Sequence, residues 1–285
     1  MTDRTYLVTG ANTGIGLATA TALAAHGGRV YLTARSAAKG EAAVALIKAA
    51  TGNDSVAFLL LDLADLDSVR ACAAGFLALG EPLHVLVNNA GLAGRQGVTK
   101  QGFELAFGVN HLGHFLLTTA LLDCLKASAP SRVVNVSSDS HYMARGIDFE
   151  ALRRRGRGIT GMPQYAVSKL CNVLFTQELA RRLDGTGVTS YAVHPGTVAS
   201  DIWRRVPWPV RPLITSRMIS TTEGARTSLY CATSTSAEVA QASGRFYDKC
   251  AEREPSKRAT PELAAELWQR SQEWASKEWT AQEGA

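Results

Sequence analysis

The stretch TGANTGIG, Thr9 to Gly16, follows the apolar run TYLV and leads into LATATALAAHG, which is rich in helix formers and closes on glycine. A short buried strand, a glycine turn and a helix open a βαβ unit, and few other folds accommodate that beginning. Gly10, Gly14 and Gly16 follow a G-x-x-x-G-x-G spacing. Bare backbone at those points lets N–H groups at a helix N-terminus close on a pyrophosphate, where side chains would stand in the way. The plainer reading is a tight turn that uses glycine for positive φ. Its place after the first strand favours the phosphate reading. No G-x-x-x-x-G-K-[ST] is present, so the turn is not a P-loop.

The alternation continues along the chain. RVYLTA, VAFLLLDL, LHVLVNNAG, SRVVNVSS, VTSYAVHPG and GRFYD read as strands, and AAKGEAAVALIKAATG, LDSVRACAAGFLALG and YAVSKLCNVLFTQELARRL as helices. GFELAFGVNHLGHFLLTTALLDCLKAS is predicted as one long helix of about seven turns. Strands that are continuous apolar runs, separated by helices, imply a parallel sheet covered on both faces. Right-handed crossovers then give a doubly wound, Rossmann-type α/β sheet with helices on both faces. No linker or repeat interrupts it, so residues 1–285 are predicted as one domain. Two insertions stand out: 142–163, basic and glycine-containing, and 200–222, with two tryptophans and three prolines. A helical extension over 260–280 begins with a Thr-Pro start and carries apolar residues suited to an amphipathic helix.

Ligands in such sheets sit at the carboxyl ends of the strands. The second strand ends in LTARS, with Ala34 and Arg35 where an acid would hold the adenosine ribose of NAD. An arginine there pairs with a 2′-phosphate, which predicts NADP. Asp62 closes the third strand, where it either accepts from an adenine amino group or caps the helix that starts near Asp65. Asn89, Ala90 and Gly91 end the fourth, and such small residues let ribose and nicotinamide lie against backbone. YAVSK places Tyr165 and Lys169 at i and i+4, on one face of a helix. A phenol is a poor base at neutral pH, and a neighbouring ammonium with a cationic nicotinamide favours the phenolate. Tyr165 could then exchange a proton with an alcohol or carbonyl.

In order along about residues 5–275, TGANTGIG, NNAG, Asn110 in FGVNHLG, VNVSS, YAVSK and HPGTV resemble the short-chain dehydrogenase/reductase family. GFELAFGVNHLGHFLLT, SKLCNVLFTQELARRL, VHPGTV and EGARTSLY carry a closer likeness to its retinol-dehydrogenase-like branch, with the protochlorophyllide reductases as cousins. The resemblance implies that Tyr165 is the general acid/base and that Lys169 lowers its pKa and holds the nicotinamide ribose. Ser138 would bond the carbonyl oxygen, and Asn110 would shape its helix and anchor a water linking Lys169 to solvent. Pro195, Gly196, Thr197 and Val198 would place the nicotinamide amide, while Asn12, Thr13 and Ile15 complete the glycine turn and Leu63 joins Asp62. Ser137 and Ser138 point to opposite faces of a strand, so only one can meet Tyr165, and the family pattern favours Ser138. The gap from serine to tyrosine is longer than in many members, as in the retinol-dehydrogenase-like branch, and residues 142–163 are candidates for a flap over the substrate.

The implied function is an NADP(NADPH)-dependent interconversion of a small apolar carbonyl and its alcohol, run toward reduction if Arg35 selects NADP. Double-bond reduction of the protochlorophyllide type is the alternative, against which NNAG lacks the cysteine of that branch. A non-catalytic NADP sensor is another, against which all of Asn110, Ser138, Tyr165 and Lys169 are present. The resemblance also suggests homodimers or homotetramers through the helices around 103–127 and 165–183, contacts the C-terminal extension could cover.

Other clusters carry less. Ser138, Asp139 and His141 lie in one segment, unlike hydrolase triads, and no G-x-S-x-G elbow occurs. His111 and His114, one turn apart, suit helix packing better than a metal, and no third ligand is evident. RRRGRG, Arg153 to Gly158, lacks interleaved aromatics and reads as a solvated loop rather than a nucleic-acid contact. IWRRVPWPVRPL, Ile202 to Leu213, suits a substrate lid or a peripheral membrane contact. No run is long and apolar enough to span a membrane. The net charge of +5 permits anion binding without a long basic stripe. Five widely spaced cysteines and no charged-then-apolar leader fit a reducing, cytoplasmic setting.

Overall fold

The computed structural model describes residues 4–156, 160–197, 219–236, 238–239 and 242–276. Eight strands form one sheet: β1 (Thr5–Val8), β2 (Arg29–Ala34), β3 (Val56–Leu60), β4 (Val85–Asn88), β5 (Ser131–Val136), β6 (Val188–His194), β7 (Arg245–Asp248) and β8 (Ala251–Arg253). Their order is β3-β2-β1-β4-β5-β6-β7-β8, and every pairing through β7 is parallel. The order reverses between β1 and β4, so their carboxyl ends open the crevice in which doubly wound sheets bind ligands. The helices are α1 (Gly14–Ala25), α2 (Ala37–Thr51), α3 (Leu66–Leu77), α4 (Leu105–Phe107), α5 (Gly113–Ala120), α6 (Leu122–Ala127), α7 (Met162–Arg182), α8 (Thr221–Thr233) and α9 (Pro261–Trp274).

Central strands are buried on both faces, which is why they read as unbroken apolar runs. Alternate residues serve two cores. Leu7, Leu86 and Val133 enter one with α3, α5 and α7. Tyr6, Val8, Val85, Val87 and Val134 enter the other with α1 and α2.

Two predictions need correction. The long helix is not continuous: it starts at Leu105, widens over Gly108–Leu112, where the Gly113 N–H bonds the Gly108 carbonyl, and breaks at Leu121. Close packing is the reason. A Cβ on Gly108 would lie 2.2 Å from the Thr99 methyl, and one on Gly113 would lie 2.8 Å from the Leu63 carbonyl oxygen. Wide turns inside helices are rare and gather at functional sites, and this one holds Asn110. The second correction is β8, antiparallel to β7 through a turn whose Lys249 and Cys250 both have positive φ. Its three exposed residues carry no apolar signal.

In the 142–163 insertion, Leu152 is buried and its carbonyl accepts the Glu104 N–H. Residues 157–159 of it, 198–218, which cover most of the second insertion, and 277–280 of the extension lie outside the described residues. Helix α9 is capped by Thr260, which accepts from Leu263 N, and its Ala264, Leu267, Trp268, Ser271 and Trp274 form one buried stripe. Trp268 stacks on Phe175 at 5.8 Å and meets Phe115 edge-on at 5.0 Å. The extension thus lies on α5 and α7, the helices expected to join copies, and contact through that face would displace it. No helix among the described residues is long and apolar enough to cross a membrane.

Candidate active site

The glycine turn lies between β1 and α1 and packs closely against the end of β4. Gly10 and Gly14 take φ of +62°. A Cβ on Gly10 would lie 2.8 Å from the Ala90 Cβ, and one on Gly16 would lie 2.5 Å from Asn89 Nδ2. These two glycines therefore let the turn seat against the end of β4. Gly14 has open space above it. The α1 N-cap, Thr13, makes no side-chain cap bond, and the first turn holds no acid. The leading N–H groups, those of Gly14, Ile15 and Gly16, lack intrahelical acceptors as in any helix and suit an anion. Asn12 and Ile15 are half-buried and Thr13 is exposed beside them. Arg35 is exposed at the end of β2.

Thr9 ties the turn to the site. Its hydroxyl oxygen accepts the Asn89 and Ala90 N–H groups, both at 2.9 Å, and lies 2.8 Å from His114 Nε2. His114 Nδ1 lies 3.1 Å from the Asn110 carbonyl, which can only accept, so Nδ1 carries the proton and Thr9 donates to Nε2. Burial holds His114 down to about 4, consistent with that neutral ring. His111 lies 2.9 Å from the Ser271 hydroxyl of α9. His111 thus joins two helices and His114 joins its helix to the glycine turn, and neither Thr9 nor His114 was singled out for a role in the site from sequence.

Asp62 accepts the Ala64 N–H at 3.0 Å, while capping of α3 falls to Asp65, which accepts from Asp67 N. Leu63 is buried against Gly113. At the end of β6, Gly196 has φ of +82° and the Thr197 carbonyl accepts the Ile219 N–H at 3.1 Å, with Pro195 half-buried before them. Val198 lies outside the described residues.

Asn110, Ser138, Tyr165 and Lys169 converge. The Asn110 side chain accepts from Leu92 N at 2.9 Å and donates to the Leu92 carbonyl at 3.0 Å and to Ser168 Oγ at 2.9 Å. Ser168 in turn donates to the Tyr165 carbonyl at 2.7 Å. Ser138 acts on the Tyr165 phenol through its side chain, while its Oγ accepts the Ser140 N–H at 3.2 Å and lies 3.3 Å from Ser140 Oγ; Ser137 turns away and donates to the Lys169 carbonyl at 2.8 Å. The Ser137 hydroxyl is thus engaged by α7 backbone. Lys169 is buried; its Nζ donates to the Val136 carbonyl at 2.8 Å and lies 5.6 Å from the Tyr165 ring centre.

Burial sets the electrostatics of the pair. It pulls Lys169 down to about 7 and pushes the Tyr165 phenol up, with Ser138 pulling the other way.

A family profile described as short chain dehydrogenase matches residues 4–148. Retinol dehydrogenase 12 of Homo sapiens is 46% identical over 283 residues, covering 97% of this chain and 87% of that protein. Retinol dehydrogenase 11 of Homo sapiens is 48% identical over 273 residues, covering 93% and 83%. Among solved structures, an uncharacterized protein from Mycobacterium Paratuberculosis is 35% identical, with a TM-score of 0.77 over 97% of this chain and 94% of that one. The actinorhodin polyketide ketoreductase with NADPH is 25% identical, with a TM-score of 0.67 over 86% and 95%. The chain belongs to the short-chain dehydrogenase family and is an oxidoreductase built to hold a nicotinamide cofactor. Within the family it is retinol-dehydrogenase-like.

Proposed function

We propose that the protein is an NADP(H)-dependent oxidoreductase that interconverts a lipophilic aldehyde or ketone with its alcohol, Tyr165 exchanging the proton. One observation carries this reading: Ser138, just past the carboxyl end of β5, acts on the Tyr165 phenol, and Lys169 Nζ lies over the Tyr165 ring, 5.6 Å from its centre. The residues present fit the cofactor. Uncapped N–H groups open α1, Gly14 has open space above it, and Arg35, exposed at the end of β2, would pair with a 2′-phosphate. When bound, the nicotinamide would supply or accept the hydride. The remaining work belongs to this chain. Ser138 donates to the substrate oxygen and holds the phenol on target. Tyr165 gives its proton to that oxygen in reduction and takes it back in oxidation. Lys169, held by Val136, would bond the ribose and gain a proton there, which stabilises the phenolate. Asn110 fixes the wide turn against Leu92 and α7. The names of the retinol dehydrogenases support a retinoid-like, apolar substrate. Because α9 covers α5 and α7, the chain is proposed to be a monomer with respect to that face.

The test is turnover of an aldehyde and ketone panel, retinal included, with NADPH and NADH. Tyr165→Phe is expected to lower kcat by about 10²–10⁴-fold while NADPH still binds. Equal rates with NADH would overturn the assignment to NADP. A panel without any turnover, with Tyr165→Phe binding NADPH like the wild type, would overturn the enzyme reading.

A further inference from the structure

The serine turn is held by two histidines that the proposed chemistry does not use, one within it and one at the end of β6. Ser138 is extended, at φ −168° and ψ 154°, and opens a short turn over Asp139–Met143. Its carbonyl takes two donors, the His141 backbone N–H at 3.0 Å and His141 Nδ1 at 2.7 Å. A carbonyl can only accept, so Nδ1 bears the proton. The other ring nitrogen, Nε2, accepts the Ser256 N–H at 3.0 Å. This single tautomer satisfies both ends of a fully buried ring. The ring packs 4.7 Å from Phe246 of β7. On the other side of the same peptide, the Asp139 N–H donates to His194 Nδ1 at 3.3 Å. His194 ends β6 and is itself buried. Arg253 of β8 holds the Asp139 carboxylate and reaches Asp248 as well, at 3.2 Å each. The peptide plane joining Ser138 to Asp139 is therefore gripped at its oxygen and at its nitrogen by imidazoles from different segments. That plane sets ψ of Ser138, and with it the position of the hydroxyl that must meet Tyr165. Burial holds both rings below the ordinary histidine range, which favours the neutral forms this grip requires.

We propose that His141 and His194 are positioning residues for Ser138, clamping the Ser138–Asp139 peptide between the end of β6 and the segment that follows the β7–β8 hairpin. This rests on the reading of Ser138 and Tyr165 given above. The short antiparallel hairpin thereby acquires a role: Arg253 and Ser256 brace the serine turn from outside.

The experiment follows the Tyr165 ¹³Cζ resonance in tyrosine-labelled protein, assigned by its loss in Tyr165→Phe, together with steady-state kinetics and thermal melting. Ser138→Ala is expected to move the resonance. His141→Leu and His194→Leu are expected to move it in the same direction, with kcat lower by about 10–100-fold, as for a misplaced catalytic group, and with KM and NADPH affinity within a factor of about three. His141→Gln keeps an N–H for Ser138 and an oxygen for Ser256, so part of the lost kcat returns. The double variant Ser138→Ala with His141→Leu is no slower than Ser138→Ala alone, because both act through one hydroxyl. If His141→Leu does not fold, His194→Leu and His141→Gln carry the test. The proposal is overturned if the resonance stays at its wild-type position in the folded histidine variants. It is equally overturned if Ser138→Ala leaves the resonance unmoved, or if the losses in the double variant multiply. Should the wild type turn over no carbonyl, the proposed function fails, while the resonance still decides whether the histidines position Ser138.

Discussion

Replacing Lys169 with methionine is predicted to stabilise the protein at and below neutral pH while ending catalysis. Lys169 is 3% exposed, and burial takes its pKa from 10.5 to about 7. At about 1.36 kcal/mol per pKa unit, carrying the ammonium in the folded chain costs about 5 kcal/mol below pH 7. The unfolded chain keeps its proton up to about pH 10.5 and the folded chain releases it near 7. Between those values the unfolded state binds more protons, so the wild type gains stability as pH rises and its handicap disappears by about pH 10.5. Methionine matches the length of the stem and loses one hydrogen bond, worth about 1 kcal/mol. The Val136 carbonyl is not orphaned, because Asn172 Nδ2 also donates to it at 3.0 Å. The variant's net advantage is thus about 3–4 kcal/mol at pH 6, or roughly 6–12 °C in melting temperature for a domain of this size. Melts of both proteins at pH 6, 7.5 and 9.5 measure it. A variant that melts at or below the wild type at pH 6, or a lead that does not shrink toward pH 10, would refute the reasoning.

Four further outcomes follow from the geometry. Arg35→Ala is expected to weaken NADPH about 10–100-fold, the scale of a charged hydrogen bond, while NADH is unchanged; fluorescence titration with both nucleotides checks it. Gly16→Val forces a Cβ to within 2.5 Å of Asn89 Nδ2 and 2.7 Å of the Gly10 carbonyl oxygen, so it destabilises by about 1–3 kcal/mol or more and NADPH binding is lost, read by denaturant melts and titration. Trp268→Ala removes a ring packed between Phe115, Phe175 and the Arg182 guanidinium, at a cost of about 3–5 kcal/mol. Light scattering is expected to give a monomer for the wild type and self-association for a chain ended at Ala259, whose α5 and α7 face is bare.

The parallel sheet was legible because each central strand is buried on both faces, and a sequence such as SRVVNV has no other way to look. The turn at Thr9–Gly16 was legible because glycine at fixed offsets has few alternative uses. What the pattern hid depends on contacts between distant segments. GFELAFGVNHLGHFLLTT has uninterrupted helical periodicity, yet the helix widens at Asn110, and the Thr99 methyl and Leu63 carbonyl that crowd Gly108 and Gly113 come from other elements. AER is exposed at the sheet edge, and its pairing rests on a two-residue turn rather than on apolar residues.

The same distinction separates where the catalytic groups are from what state they are in. An i, i+4 spacing places Tyr165 and Lys169 on one helix face whatever surrounds them. Their protonation depends on how much water the surroundings admit, and those surroundings are assembled from β4, β5 and the wide turn, segments that one helix cannot reveal. A lysine read from spacing alone is an ammonium that lowers a phenol. The same lysine buried near Gly91, its Nζ donating to the Val136 carbonyl, resists its charge. Under the proposed function that resistance is useful. A lysine titrating near neutrality gains its proton when an acceptor such as a ribose hydroxyl or a phenolate arrives beside it, so the phenol is activated where the reaction assembles and stays a weak acid elsewhere. A Lys169→Arg variant separates the two pictures. Its permanent charge would keep Tyr165 lowered without cofactor if proximity alone mattered, and its bulk and desolvation cost would destabilise the fold if burial governs the pair.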